Sequence, residues 1–139
     1  MARIYVSHSA RDREATRSLV AFLEGLGWSV WWDKSPQSGY APNDVSAAEL
    51  ANAELAIVIW SKSSITAPYV LSDAIAARDA NKLMQVINSD EPPRQVPMRA
   101  RDEPQLDTFD LLQISMAVSS FMRRGWRGDT LIDPNAARQ

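Results

Sequence analysis

The run LAIVIW at residues 55–60 is almost wholly apolar, and half of it is β-branched. Strands at the centre of a parallel sheet have this character, because helices cover both of their faces. A transmembrane helix takes about 20 apolar residues, so the run is also too short to cross a bilayer. It predicts a buried central strand.

Strand-like and helix-like segments alternate along the rest of the chain. Residues 4–7, 28–32 and 82–87 are short, apolar and strand-like, and one more short strand is predicted near Val96. Apolar residues recur at steps of three and four, with Leu26 and Leu112 among them, which predicts helices over residues 12–26, 45–53, 69–80 and 109–122. This order predicts a three-layer α/β fold, in which helices cover both faces of a parallel sheet of four to five strands.

The composition excludes several classes of protein. The chain has no cysteine, which rules out disulfides and thiolate zinc sites, and His8 is its only histidine, which makes a histidine-based metal site implausible. The net charge is −2 and no basic cluster is present, which disfavours direct binding of nucleic acid. The first residues pass directly into a strand without a leader, so we expect a cytoplasmic protein with no membrane span.

Ligands of open parallel sheets bind outside the carboxyl ends of the strands. Those ends correspond to the loops at residues 7–11, 33–44 and 61–68. The loop at 33–44 contains Pro36, Gly39 and Pro42 and is long for a compact domain, which favours a functional role. A candidate site is therefore expected where these three loops meet.

Three segments in these regions resemble the sequence boxes of Toll/interleukin-1 receptor (TIR) domains. They are IYVSHSARD at residues 4–12, GWSVWWD at 27–33, and Ser61 with APYVLSDA at 67–74. The second run resembles bacterial members of the family. The resemblance implies a flavodoxin-like TIR domain over residues 1–124, followed by a flexible tail or truncated linker at 125–139.

Many TIR domains hydrolyse NAD at its nicotinamide–ribose bond, so the resemblance implies a candidate NAD glycohydrolase. The family's catalytic Glu corresponds to Asp73, and its preceding Trp corresponds to Tyr69. A carboxylate stabilises the positive charge that develops on the ribose, but a displacement of about 1 Å can cost roughly a hundredfold in rate. Asp73 is one methylene shorter than Glu, so turnover stays open. The alternative is a solvated Asp in the first turn of a helix.

The resemblance also implies a set of residues that contact the nucleotide. They are Ser7, His8, Ser9, Arg11, Trp32, Asp33, Ser61, Lys62 and Tyr69. Each has a structural alternative: the serines can pair with loop backbone or cap a helix, Trp32 can belong to the core, Asp33 can be a turn residue, and Lys62 can be solvated. His8 occupies an aromatic position of the family, where it could stack on a ligand or, less simply, transfer protons.

Two functions remain in competition. One is a self-associating domain that binds NAD and, if Asp73 supports it, cleaves it as part of antiviral defence, with NAD as substrate and no further cofactor or metal. The alternative is a non-catalytic TIR–TIR module for signal transduction. In both, homotypic contacts would involve the BB loop around Gly39 and Tyr40. A response-regulator-like domain fits less well, because only Asp33 is placed for phosphoryl transfer.

Overall fold

The computed structural model describes residues 3–32, 44–98, 106–107 and 110–124. In this part of the chain, five parallel strands form one sheet with the order β2-β1-β3-β4-β5. The strands are β1 (Ile4–Ser7), β2 (Val30–Trp32), β3 (Leu55–Trp60), β4 (Leu83–Ile87) and β5 (Leu106–Asp107). The helices are α1 (Arg13–Gly25), α2 (Asp44–Asn52), α3 (Pro68–Asp79) and α4 (Leu111–Arg124), with 3₁₀ turns at Ala10–Asp12 and Ser64–Thr66.

This strand order is the flavodoxin-like one, and it confirms the predicted fold class. The chain steps outward from β1 to β2 and then crosses to β3 on the other side of β1. The direction of winding therefore reverses between β1 and β3. The loops that leave these two strands diverge, and open α/β sheets bind their ligands in the crevice that results.

Alternation along the strands creates two apolar cores, one on each face of the sheet. Ile4 and Val6 of β1 face one core, which α1 and α4 complete with Leu19, Leu23 and Val118, among others. Tyr5 faces the other core, where it packs with residues of β3 and α3 such as Trp60 and Val70. Because the side chains of a strand alternate, Ser7 lies on the same face as Tyr5 and therefore towards α3.

The end of α1 shows how the chain is directed into the sheet. Gly27 has a φ of 99°, a left-handed conformation that suits glycine. Its N–H donates to Glu24, and the N–H of Trp28 donates to the carbonyl of Leu23, the two bonds of a Schellman motif. The helix predicted over residues 12–26 is confirmed, and it ends at Gly25.

Three expectations from the apolar pattern were wrong. Val96 lies in irregular chain, and the fifth strand is instead Leu106–Asp107, paired with β4. Prolines on either side of Val96 lack the N–H that a strand ladder needs. Leu26 is 49% exposed because α1 ends one residue earlier. Leu112 is 72% exposed, because α4 turns the face that carries Ile114 and Val118 to the sheet.

Within the described residues, none of the helices combines the length and the apolar character that a membrane span requires.

Candidate functional site

A groove opens where the chain leaves β1 and β3, at the reversal of the sheet. One wall is formed by residues 9–11, and the other by residues 63 and 66–69 at the start of α3. Its volume is about 280 Å³. More than half of its lining residues are polar, and one of them is an exposed cation. The lining consists of Ser9, Ala10, Arg11, Ser63, Thr66, Ala67, Pro68 and Tyr69.

A buried carboxylate joins the strand exits beneath this groove. Asp12 is 1% exposed and accepts hydrogen bonds from Ser9 Oγ at 2.9 Å, Ser61 Oγ at 2.6 Å and Asn88 Nδ2 at 2.9 Å. These donors follow β1, β3 and β4, respectively. A buried charge is tolerated only when it is well hydrogen-bonded, and Asp12 meets that condition with three donors.

Ser61 transmits this contact to the second wall of the groove. Its Oγ donates to Asp12 and accepts from the backbone N–H groups of Ser63 and Ser64, both at 3.2 Å. The hydroxyl of Ser64 in turn donates to the carbonyl of Ile59 at 2.7 Å. The 3₁₀ turn that shapes this wall is therefore tied to the Asp12 carboxylate through one serine.

Asp73 lies on the buried face of α3, behind the groove. Its Oδ2 accepts hydrogen bonds from Ser7 Oγ at 2.7 Å and from the hydroxyl of Tyr5 at 2.9 Å. The side chain is 4% exposed, so the alternative of a solvated Asp was wrong. Burial raises the pKa of Asp73 above its ordinary value, and the two hydrogen bonds offset part of this increase.

Tyr69 stands one helical turn before Asp73 and lines the groove. Its hydroxyl donates to the carbonyl oxygen of His8 at 3.0 Å. The ring of His8 is buried, and its centroid lies 5.5 Å from that of Trp32. His8 Nδ1 lies 2.8 Å from the carbonyl oxygen of Ser9, which can only accept, so this nitrogen is the donor. In this structure His8 thus packs against the protein's own tryptophan.

The structure gathers some of the predicted nucleotide-contacting residues and separates others. Ser9, Arg11 and Tyr69 line the groove. Ser7, His8 and Asp73 lie behind it, and Ser61 is fully buried against Asp12. Trp32 is half-buried beside His8, and Lys62 is exposed outside the lining. Asp33, Gly39, Tyr40 and the predicted tail at 125–139 lie outside the described residues.

Sequence reasoning missed the roles of Asp12, Asn88 and Tyr5. The sequence pattern placed Asp12 only in the first TIR-like segment and at the start of a predicted helix, whereas its carboxylate bonds three side chains from strand exits. A signal was present, because Asn88 directly follows β4, as Ser61 follows β3. Polar residues at neighbouring strand ends meet at one edge of a parallel sheet. Tyr5 carried a signal too, since a tyrosine in a buried strand usually finds a partner for its hydroxyl.

Comparison with known proteins agrees with this architecture. A family model described as TIR domain matches residues 4–121. No curated protein gives a significant match to the sequence. Among solved structures, the TIR domain of the Toll-related receptor TRR-2 from Hydra magnipapillata is similar, with a TM-score of 0.64 and 15% identity over 88% of this chain and 97% of that one. At this identity the likeness concerns the fold alone.

Removal of the Asp12 carboxylate is expected to destabilise the fold strongly. Asp12→Ala leaves three buried donors without their acceptor, at a cost of about 1–3 kcal/mol each, so we expect a loss of roughly 3 kcal/mol or more in urea unfolding. Asp12→Asn keeps one acceptor oxygen and should lose less. Glu14→Ala is the control, because this exposed carboxylate makes only a surface ion pair with Arg17 and should change stability by less than about 0.5 kcal/mol. Equal effects at positions 12 and 14 would show that the Asp12 carboxylate does not hold the strand exits together.

The raised pKa of Asp73 makes a prediction for the pH dependence of stability. The native state binds the proton of this carboxyl more tightly than the unfolded state does. The protonated carboxyl therefore contributes fully to the free energy of unfolding below the unfolded pKa of about 3.9, and this contribution is lost as pH rises through the folded pKa. Asp73→Asn has no such titration. Urea unfolding from about pH 3 to about pH 7 should therefore show the variant gaining stability relative to the wild type as pH rises.

Asp79→Asn is the matched control for this measurement, because Asp79 is an exposed acid of the same helix. Its difference from the wild type should show none of the gain expected of Asp73→Asn. A difference between Asp73→Asn and the wild type that stays constant, or that favours the wild type as pH rises, would show that the carboxyl is not destabilised by burial.

Proposed function

This chain belongs to the TIR domain family, and we propose that it binds NAD in the groove at the exits of β1 and β3 and that Asp73 is the carboxylate through which it would cleave the nicotinamide–ribose bond. Family membership supports a role in signalling through protein–protein contacts. The NAD site is a more specific proposal than this general role. The observation that carries it is the placement of the Asp73 carboxylate directly behind a groove at the reversal point of the sheet.

The lining of the groove suits part of a nucleotide. Arg11 offers a positive charge for phosphate, and the hydroxyls of Ser9, Ser63 and Thr66 offer hydrogen bonds for phosphate or ribose. Tyr69 adds an aromatic surface. Ligand pockets usually measure about 300–1,000 Å³, and the groove at about 280 Å³ falls just below that range. A whole dinucleotide would therefore extend beyond it, which favours completion of the site by a second copy.

The chemistry required of Asp73 is electrostatic. When the bond between nicotinamide and ribose breaks, nicotinamide leaves with the bonding pair and its ring nitrogen becomes neutral. Positive charge develops on the ribose until the oxygen of water bonds to the anomeric carbon and one proton is released. An ionised carboxylate near the sugar stabilises this charge. Ser7 and Tyr5 would hold the carboxylate in place, since both already donate to it.

The second candidate is a TIR–TIR module without catalysis. It is favoured by the same carboxylate, because Asp73 already accepts two hydrogen bonds from its own chain and does not line the groove. In that case the two hydroxyls serve only to hydrogen-bond a buried carboxylate that has a structural role. The candidates differ in whether the carboxylate becomes accessible to a ligand.

Other parts of the proposal rest on family resemblance. These are self-association through the BB loop around Gly39 and Tyr40, a cytoplasmic site of action, a bacterial-type TIR domain and a role in antiviral defence. NAD is the substrate in this proposal, and the reaction needs no further cofactor.

Calorimetric titration with NAD tests the binding site. We expect binding by the wild type and an approximately tenfold weaker affinity for Arg11→Ala, the loss of about one charge-assisted contact. Arg13→Ala is the matched control, because Arg13 is also exposed but lies outside the lining. An absence of binding at concentrations where the protein self-associates would overturn the proposal.

Nicotinamide release by concentrated protein tests catalysis. Asp73→Ala should reduce the rate by about a hundredfold or more, as expected for loss of a charge that stabilises the transition state. Asp73→Glu should increase the rate if the missing methylene limits the wild type. Release that is unchanged in Asp73→Ala would exclude this residue. Self-association without NAD binding or nicotinamide release, even in Asp73→Glu, would leave the interaction module.

A further inference from the structure

We propose that Tyr69 is a gate that separates the groove from the buried carboxylate of Asp73. In the closed position seen here, its hydroxyl bonds the carbonyl of His8 and its ring forms part of the groove wall. Displacement of the ring would connect the groove to Asp73. This inference rests on the proposed function for its biological meaning, but it concerns a physical barrier that exists with or without NAD.

The order of contacts along β1 and α3 supports this arrangement. Along β1 and its exit, Ser7 bonds Asp73, the next residue, His8, bonds Tyr69, and Ser9 lines the groove. In α3, Tyr69 comes one helical turn before Asp73 and therefore lies nearer to the groove. The two elements thus run in opposite directions past the same contacts. The contact between Tyr69 and His8 is thus the layer between the carboxylate and the groove.

Burial agrees with a closed gate. Asp73 is 4% exposed and Tyr69 is 9% exposed, although Tyr69 borders a groove and Asp73 does not. The carboxylate is therefore shielded from solvent, and the tyrosine one helical turn before it lines the groove. Burial is also the largest cause of the raised pKa of Asp73.

The position of the tyrosine also makes movement feasible. Tyr69 belongs to the first turn of α3, directly after Pro68 at the start of the helix. Its hydroxyl bonds a backbone carbonyl, and water can replace either partner when the ring turns outward. In the closed state a ligand in the groove would meet the aromatic ring instead of the carboxylate. Binding and cleavage would then be separate events controlled by one side chain.

Carboxyl labelling measures the gate directly. A water-soluble carbodiimide with a small amine modifies accessible carboxylates, and peptide mass spectrometry reports each site. We expect Asp73 to be protected in the wild type and to be labelled on the order of tenfold faster or more in Tyr69→Ala, because the barrier to solvent is removed. Tyr69→Leu is the second variant, which keeps more apolar volume and should give a smaller increase.

Three controls isolate the gate from general loosening. Asp79, an exposed acid on the same helix, should be labelled equally in all variants. Tyr5→Phe removes a hydrogen bond to the same carboxylate without opening the groove side, and Thr66→Ala alters the groove without removing the barrier. Both should leave Asp73 protected. Native circular dichroism and a cooperative melt are required of each variant.

The pKa of Asp73, followed by NMR, should change in opposite directions in two of these variants. It should fall towards its ordinary value in Tyr69→Ala, where water reaches the carboxylate, and rise in Tyr5→Phe, where a stabilising donor is lost. Unchanged labelling and an unchanged pKa in folded Tyr69 variants would overturn the proposal. Failure of both Tyr69 variants to fold would also overturn it, because the tyrosine would then be a fixed core residue. None of these measurements uses NAD, so failure of the proposed function would be seen separately.

Discussion

Two hydrogen bonds from β1 to Asp73 connect the central part of the sheet to α3. Tyr5 and Ser7 reach the same carboxylate oxygen because they alternate with Ile4 and Val6 and so share one face of the strand. A carboxylate removed from water is costly unless its oxygens are bonded, and these two hydroxyls reduce that cost. The contact also fixes which residues of α3 face the exit of β1. The positions of Tyr69 and of the groove follow from it.

A second buried carboxylate, Asp12, connects parts of the chain at the strand exits in a similar way. It joins the chain after β1, β3 and β4 through one buried carboxylate, and Ser61 extends the contact into the 3₁₀ turn that forms the second wall. The two buried acids therefore have different consequences. Asp12 holds the loops around the groove, whereas Asp73 lies next to the groove and separated from it by Tyr69. Only at Asp73 can the access of a ligand to the carboxylate change without rearrangement of the sheet, because movement of Tyr69 alone would be enough.

The sequence was sufficient for the fold and for part of the site. The apolar run at Leu55–Trp60, the helical period over residues 12–26 and the short motifs at the strand exits are local signals. The strand, the helix and the family that they predict were each confirmed. Burial of Asp73 was not predictable from its position in a first helical turn, because its partners are 66 and 68 residues away. The Asp12–Asn88 contact spans 76 residues. Leu112 shows the same limit, since periodicity alone does not tell which face of a helix meets the sheet.

The central claim is that the carboxylate of Asp73 is bonded to the end of β1, and a double-mutant cycle between Ser7 and Asp73 tests it most directly. Ser7→Ala, Asp73→Ala and the combined variant are compared with the wild type by urea unfolding near neutral pH. A hydrogen bond to a charged group predicts a coupling free energy of about 1.5–3 kcal/mol between the two positions. Additive effects, with a coupling free energy near zero, would show that the two side chains do not interact and would remove the basis for placing the carboxylate beside the groove.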